Sequence, residues 1–307
     1  MKTSPIICVV GSINMDLVFR TPRMPAAGET ISGHEFVQIA GGKGANQAVA
    51  AARQGAQTTL IACVGDDAYG VQSISGLKQD GINTGAISTI ANCATGVAGI
   101  FVDDQGRNSI VIAPGANARL TPAHISTETI QAAQLLICQC ETPLATIAAA
   151  MQIAHRHGVK VLFNPAPAIP LPDTLFALVD YLIVNETEAG QLSGVPVTDI
   201  DSARLASQQL LNRGVHCVLL TLGEQGVCVS THQQFDHIPA INVTAVDTTA
   251  AGDTFVGAFA TAIGYGMNEL EAAKEAQYSA ALTVTKLGAQ SSIPHRADVE
   301  HFKATLN

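Results

Sequence analysis

The chain has 307 residues, enough for one large domain or two small ones, and with 47% hydrophobic against 13% charged residues it can bury a large core and has no stretch that reads as disordered. Its net charge of −9 excludes a sequence-independent binder of nucleic-acid backbone, which needs a basic face. Its seven cysteines, Cys8, Cys63, Cys93, Cys138, Cys140, Cys217 and Cys228, are odd in number and scattered through apolar runs, so they read as reduced core residues and supply no four-ligand zinc site.

Met1-Lys2-Thr3-Ser4-Pro5 leads straight into a strand-like run, Ile6–Val10, too short for a signal peptide and without its cleavage region, so a cytoplasmic location is expected. Residues 15–38 read as β-hairpin material, followed by a helix over 45–54 closed by Gly55 and a strand over 59–64. Residues 96–112 read as a second hairpin, with strands 97–102 and 108–112 flanking Asp103-Asp104-Gln105-Gly106. Strands at 135–138, 160–164, 181–184 and 217–221 then alternate with helices at 143–157, 186–193 and 201–214. Such alternation implies βαβ units and an α/β fold with a mainly parallel sheet. Ligands of these sheets collect at the carboxyl ends of the strands, where Asn14, Glu141, Asn185 and Thr221 fall. No repeat or linker divides the chain, so 1–307 reads as a single domain carrying the two hairpin insertions, about 15–38 and 96–112. The histidines show no His-Glu-x-x-His spacing, and His155 and His157 read as surface residues.

Two glycine-containing segments carry the chemistry. In Ala245-Val-Asp-Thr-Thr-Ala-Ala-Gly-Asp-Thr-Phe255, a run of small residues leaves backbone amides bare beside Asp253. The periodicity of Phe255, Ala258, Phe259 and Ala262 predicts a helix whose positive N-terminal end faces an anion. A carboxylate among phosphates suits a base that takes a proton from an attacking hydroxyl; the alternative is a plain N-cap on a buried helix. In Ala40-Gly-Gly-Lys-Gly-Ala-Asn-Gln47, three glycines surround Lys43 at the entrance of the next helix, with Lys43 and Asn46 placed to meet a hydroxylated ligand. The run lacks Gly-Lys-Ser/Thr and also fails Gly-x-Gly-x-x-Gly, so neither a P-loop nor a dinucleotide fingerprint is present. Asn14 and Asp16 bracket Met15, so strand alternation points both to one side, where Asp16 can accept from two hydroxyls; the alternative is turn chemistry after a strand.

These two segments, with Val9-Val-Gly-Ser-Ile-Asn-Met-Asp16, Asn164-Pro-Ala-Pro167, Asn185-Glu-Thr-Glu188, Thr221-Leu-Gly-Glu-Gln-Gly226 and Lys286-Leu-Gly-Ala-Gln-Ser-Ser292, occur in the order found in the ribokinase-like, phosphofructokinase-B-type carbohydrate kinase family, which the chain resembles over nearly its whole length. One departure is Ala251, where many members carry glycine. The resemblance implies a three-layer α/β fold with a mainly parallel central sheet, and a small β-sheet lid made by the two insertions, through which two subunits often pair as a homodimer. It implies ATP-dependent phosphorylation of D-ribose at its 5-hydroxyl, with a kinase for 2-deoxyribose or a nucleoside, or a non-catalytic sugar-binding protein, as alternatives. Asp253 becomes the base, and Ser12, Asn14, Asp16, Gly41, Gly42, Lys43, Gly44, Asn46 and Glu141 the sugar cradle.

The nucleotide side, on the same resemblance, falls to Asn185, to the turn Thr221, Leu222, Gly223, Glu224, Gln225 and Gly226, to Ala251 and Gly252, and to Gln277. Glu188 is a candidate for the water shell of Mg2+, although Asn185 and Glu188 also suit an ordinary helix start, and 221–226 an ordinary hairpin turn. Asp247, Thr249, Thr283, Lys286, Gly288 and Ser292 correspond to the family's K+ site, at which Lys286 can offer only its carbonyl.

Overall fold

The computed structural model describes residues 3–306. β1 (Ile6–Val10) lies within a nine-stranded sheet, flanked on one side by β4 (Gln57–Gly65) and β5 (Ile87–Ile90). On its other side follow β8 (Leu135–Gln139), β9 (Lys160–Asn164), β10 (Tyr181–Asn185), β11 (Cys217–Thr221), β12 (Val227–Ser230) and β13 (Phe235–Ile238). All neighbours pair in parallel until β11, after which β12 and β13 add an antiparallel edge. A second sheet of four strands takes the order β3 (Glu35–Gly41), β2 (Asn14–Thr21), β6 (Gly96–Asp103), β7 (Asn108–Ala113). Both sequence-predicted hairpins are therefore present, and the parallel pairing of β2 with β6 joins them into one sheet. Residues 22–34 of the first insertion form a long connection without strand structure.

The buried strands of the large sheet read as continuous apolar runs because both faces are covered. Ile7 and Val9 pack with Ala48 and Val49 of α1 (Lys43–Arg53), Phe255 and Phe259 of α8 (Ala251–Gly264), and Ala272 and Ala276 of α9 (Glu269–Thr283). Cys8 and Val10 face the opposite way, toward Ile147 and Met151 of α4 (Leu144–Arg156), Ala189 of α6 (Glu186–Ser193) and Leu210 of α7 (Ile200–Asn212). α2 (Ala68–Gln79), α3 (Thr127–Gln131), α5 (Asp173–Phe176) and α10 (Arg296–Leu306) complete the helices. The result is three layers, helix, sheet and helix, with six cysteines buried and Cys93 half-buried.

Two helices start so as to build the site. α1 begins at Lys43, two residues earlier than periodicity predicts, because the Asn46 N–H reaches the Gly42 carbonyl (2.8 Å) and the Ala45 N–H reaches that of Ser12 (2.9 Å). Gly42 makes this entry at φ +90°, where an added Cβ would lie 2.6 Å from the Asn14 nitrogen, so only glycine fits. α8 is not amphipathic: it is buried on every side from Asp253 to Ile263, held between α1 and α9.

The α1–α8 contact depends on Gly257, since a Cβ there would meet Ala50 Cβ at 2.5 Å and the Gln47 carbonyl at 2.6 Å. Gly257→Ala should therefore cost about 1–3 kcal/mol by overpacking, read from the urea midpoint; an unchanged midpoint would mean that the two helices have slack.

Candidate active site

The chain runs outward from β1 to β4 and β5, then returns to β8 and runs the other way, so the topological switch point lies between β1 and β8. Open α/β sheets bind ligands in the crevice beyond the strand ends at such a point. Here the Ser12 hydroxyl, just past β1, donates to Glu141 Oε2, just past β8, at 2.5 Å. The Lys43 N–H reaches the same oxygen at 3.1 Å. Ser12 is fully buried, so it acts on the crevice by holding Glu141 and offers the sugar no surface of its own in this conformation. A cavity of about 350 Å3 opens beside Asn14 and Glu141, walled by Ile112, Pro114, Thr142 and Pro167.

Asp253 sits in the first turn of α8, but it does not cap the helix. The N-cap is Ala250, in the left-handed region at φ +61°, with no side-chain cap hydrogen bond. Left-handed backbone at a residue with a Cβ costs roughly 1–2 kcal/mol and concentrates at functional sites. The Ala251 N–H closes this turn on the Thr248 carbonyl (3.3 Å), the amides that follow it are left to an external acceptor, and Gly252 is exposed, with nothing within 4 Å of where its Cβ would stand. Asp253 is instead 8% exposed and held through both oxygens, Oδ2 by Asn46 Nδ2 and Oδ1 by Gln47 Nε2, each at 2.9 Å.

Lys43 draws the acids together. Burial works to discharge it, but the charges of Asp253, Glu141, Glu188 and Asp16 outweigh that and hold the ammonium above its ordinary pKa. Burial, with Glu141 and Asp253 adding repulsion, pushes the Asp16 carboxyl up from 3.8 to about 7 against the pull of Lys43. Burial also raises Glu188, and the Asn185 N–H and Lys43 relieve it in part.

Asn14 and Asp16 lie two apart on β2, as strand alternation requires, and not in a turn. Asn117, which sequence reasoning missed, fixes the first of them. Its amide donates to Asn14 Oδ1 (2.8 Å) and the Ile13 carbonyl (3.0 Å) and accepts from the Ile13 N–H (2.9 Å), which leaves the Asn14 amino group free to face the cavity. Gln47 and Asn164 stand in segments that carry the family resemblance but were given no role, and Gln139 was missed altogether. The one signal available was a polar residue interrupting buried small-residue or strand runs.

The nucleotide-side candidates line the other strand ends. Asn185 and Glu188 form a reciprocal capping box, 2.8 and 3.0 Å, so the helix-start reading of these residues holds while Glu188 still faces Lys43 and Asp253. Residues 221–226 are the β11–β12 hairpin turn, with Leu222 buried and a short 3-10 helix over Gly223–Gln225. Gln277 is buried and donates to the Ile238 carbonyl at 3.1 Å.

The cation candidates are brought together on two adjacent loops. Asp247 accepts from the Thr249 N–H (2.9 Å), the Thr249 hydroxyl (2.6 Å) and the Gly288 N–H (2.9 Å). Those bonds and the charge of Arg20 outweigh burial and lower its pKa. Arg53 pins the second loop through the carbonyls of Gln290 (2.6 Å) and Ile293 (2.7 Å). The Thr283 and Ser292 hydroxyls donate to the Ser279 and Ala289 carbonyls, which leaves the lone pairs of those hydroxyl oxygens and the two residues' own carbonyls to offer a cation. No cluster of three or more His, Cys, Asp or Glu occurs among the described residues, so a soft transition metal finds no ligand set there, whereas one carboxylate with carbonyls suits a hard, singly charged ion.

The raised Asp16 pKa has a thermodynamic sign. The folded chain binds this proton more tightly than the unfolded one, so its stabilisation is full below about pH 4 and is lost as pH rises through about 7. Asp16→Asn should therefore gain on wild type in melting temperature progressively between pH 4 and 8; a pH-independent difference would show that Asp16 ionises normally in the fold.

Residues 5–296 match the profile described as pfkB family carbohydrate kinase. A Haemophilus influenzae protein named ribokinase is 45% identical, with 96% of this chain and 97% of that one covered. A Salmonella typhi deoxyribokinase is 40% identical over 98% of both. Among solved structures, Arabidopsis thaliana ribokinase complexed with ribose and ATP superposes with a TM-score of 0.92 at 32% identity, covering 98% of this chain and 99% of that one. Thermotoga maritima ribokinase gives 0.89 at 38% identity, covering 98% and 99%. With these matches running the length of a fold whose switch-point crevice holds Asp253 beside an open helix N-terminus, the chain belongs to the pfkB family of carbohydrate kinases.

Proposed function

We propose that this carbohydrate kinase transfers the γ-phosphoryl group of ATP to the 5-hydroxyl of D-ribose, giving D-ribose 5-phosphate and ADP. The observation that carries the reading is Asp253, clamped by Asn46 and Gln47 at an uncapped helix start and sharing the crevice with Lys43 and Asp16. The hydroxyl oxygen attacks the γ-phosphorus and gives its proton to Asp253, while the bond to the β-phosphate bridging oxygen breaks and ADP leaves. The amides from Ala250 to Asp253 meet the charge that develops on the transferring group. Asn14, Asp16, Gly41, Gly42, Lys43, Gly44 and Asn46 receive the sugar, with Glu141 and, behind it, Ser12 closing the far end. That a relative's structure is complexed with ribose and ATP supports this pair of substrates.

Asn185, Thr221–Gly226, Ala251, Gly252 and Gln277 take the nucleotide in this reading, and Glu188 orders water around the Mg2+ that accompanies ATP. That Mg2+ neutralises nucleotide phosphate charge when bound. The loops of Asp247, Thr249, Thr283, Lys286, Gly288 and Ser292 take K+, with Asp247 four residues before the first turn that holds Asp253. The small sheet covers the sugar as a lid and pairs two copies. Its side chains Phe36, Val37, Ile110 and Val111 are exposed, and no residue of β7 is covered. The seven cysteines are free, as suits the cytoplasm, and no helix among the described residues is long and apolar enough to cross a membrane.

A second reading, phosphorylation of 2-deoxyribose, is favoured by the deoxyribokinase relative. A coupled assay of ADP release over a sugar panel separates the two. Because Asp16 accepts from neighbouring hydroxyls, ribose should exceed deoxyribose in kcat/KM, and K+ should support faster turnover than Na+. Asp253→Asn should lower kcat about 100-fold to 10,000-fold, the usual worth of such a base, while ATP still binds. Equal turnover of both sugars would overturn the ribose assignment, and near wild-type kcat in Asp253→Asn would remove the base.

A further inference from the structure

Behind Asp253 lies a chain of buried amides that the reaction as written does not use. Gln47, fully buried on α1, donates through Nε2 to Asp253 Oδ1 (2.9 Å) and to Asn164 Oδ1 (3.0 Å). Its own Oε1 accepts from Gln139 Nε2 at 2.7 Å, and Asn164 Nδ2 donates to the Ile183 carbonyl at 2.9 Å.

The direction of every bond follows from one end. A backbone carbonyl only accepts, so Ile183 obliges Asn164 to turn its amino group toward β10 and its oxygen toward Gln47. Gln47 must then donate there, and its second hydrogen is left for Asp253. Its oxygen can accept only from Gln139, whose amino group is thereby fixed and whose Oε1 is left with no partner, against Gly11. A side chain at Gly11 would collide with that oxygen. A buried acceptor without a partner is a cost that native folds rarely carry, and it calls for a reason. We propose that Gln47 is the positioning residue of the phosphoryl-transfer site, its amide locked donor-first by Ile183, Asn164 and Gln139 so that the Asp253 carboxylate is aimed at the sugar hydroxyl.

The inference rests on Asp253 being the base. Gln47 touches neither sugar nor nucleotide in this reading, so its loss should appear in the chemical step and not in substrate affinity. Gln47→Met, of similar shape and without the amide, should lower kcat about tenfold to a hundredfold, the worth of one hydrogen bond to a charged group, with the KM of ribose and of ATP changed by less than about threefold. Gln139→Met should lower kcat by less, because it only frees the Gln47 amide to turn. Since Gln139 acts through Gln47, the double variant Gln47→Met/Gln139→Met should be no slower in kcat than Gln47→Met alone; because the two side chains touch, packing loss at the pair is read separately, from melting temperature.

Melting temperatures of the three variants report folding separately, and Gln47→Glu, which folds a carboxylate against Asp253, should be slower than Gln47→Met. Wild-type kcat in Gln47→Met, a rise in ribose KM in place of a fall in kcat, or multiplicative effects in the double variant would each overturn the proposal. Parallel assay of Asp253→Asn tells the two failures apart. If that variant is inactive while Gln47→Met is normal, the base stands and the positioning role falls; if Asp253→Asn is active, the base itself falls.

Discussion

One ammonium, that of Lys43, holds the acidic crevice together. Four carboxylates, Asp16, Glu141, Glu188 and Asp253, come from four separate parts of the chain and act on this single cation. Without it, the burial and the repulsion from Glu141 and Asp253 that together lift Asp16 to about 7 would lose the positive charge that opposes them. Lys43 reaches this position because Gly42 turns the chain at positive φ and α1 starts at once, so the lysine leaves the first helical turn with its own N–H on Glu141. In an acidic chain that handles phosphate, local positive potential has to be built in this way, from one lysine and from bare helix amides.

The packing of α1 against α8 converts that charge arrangement into a defined geometry. α1 brings Lys43, Asn46 and Gln47 from one side, and α8 brings Asp253 and the open amides from the other. Because Gly257 lets the two backbones approach closely, both amides reach the carboxylate at hydrogen-bond distance. The strained αL residue Ala250 and the unpartnered oxygens of Asn46 and Gln139 stand in the same few cubic nanometres as the proposed chemistry. Stability is given up there, where the large two-sided core can carry the loss.

Much of this was legible in the sequence because strand–helix alternation and small-residue runs are local signals. Val9–Val10 followed by Ser12, and the small residues before Asp253, mark strand ends and an exposed helix start without any knowledge of the fold. The two insertions show as alternating runs, but their union through β2 and β6 does not, since parallel pairing of distant strands leaves no local trace. Asn185 illustrates the converse: its role as a cap satisfies the helix start alone, so local chemistry explains it fully while hiding that Glu188 faces Lys43. Gln139 and Asn117 escaped notice, and Gln47 and Asn164 were named without a role, because a buried amide is specified by its partners, here as far as 206 residues away. Periodicity can only flag such residues as polar intrusions in α1 and at the end of β8.

The most direct test of the account is a crystal structure of the chain with D-ribose and a non-hydrolysable ATP analogue. In that complex the ribose 5-hydroxyl should lie within about 2.6–3.2 Å of an Asp253 oxygen, with the γ-phosphate analogue facing the Ala250–Asp253 amides and the Gln47 contact to Asp253 retained. A sugar seated with its primary hydroxyl away from Asp253, or a nucleotide that leaves the start of α8 bare, would contradict it.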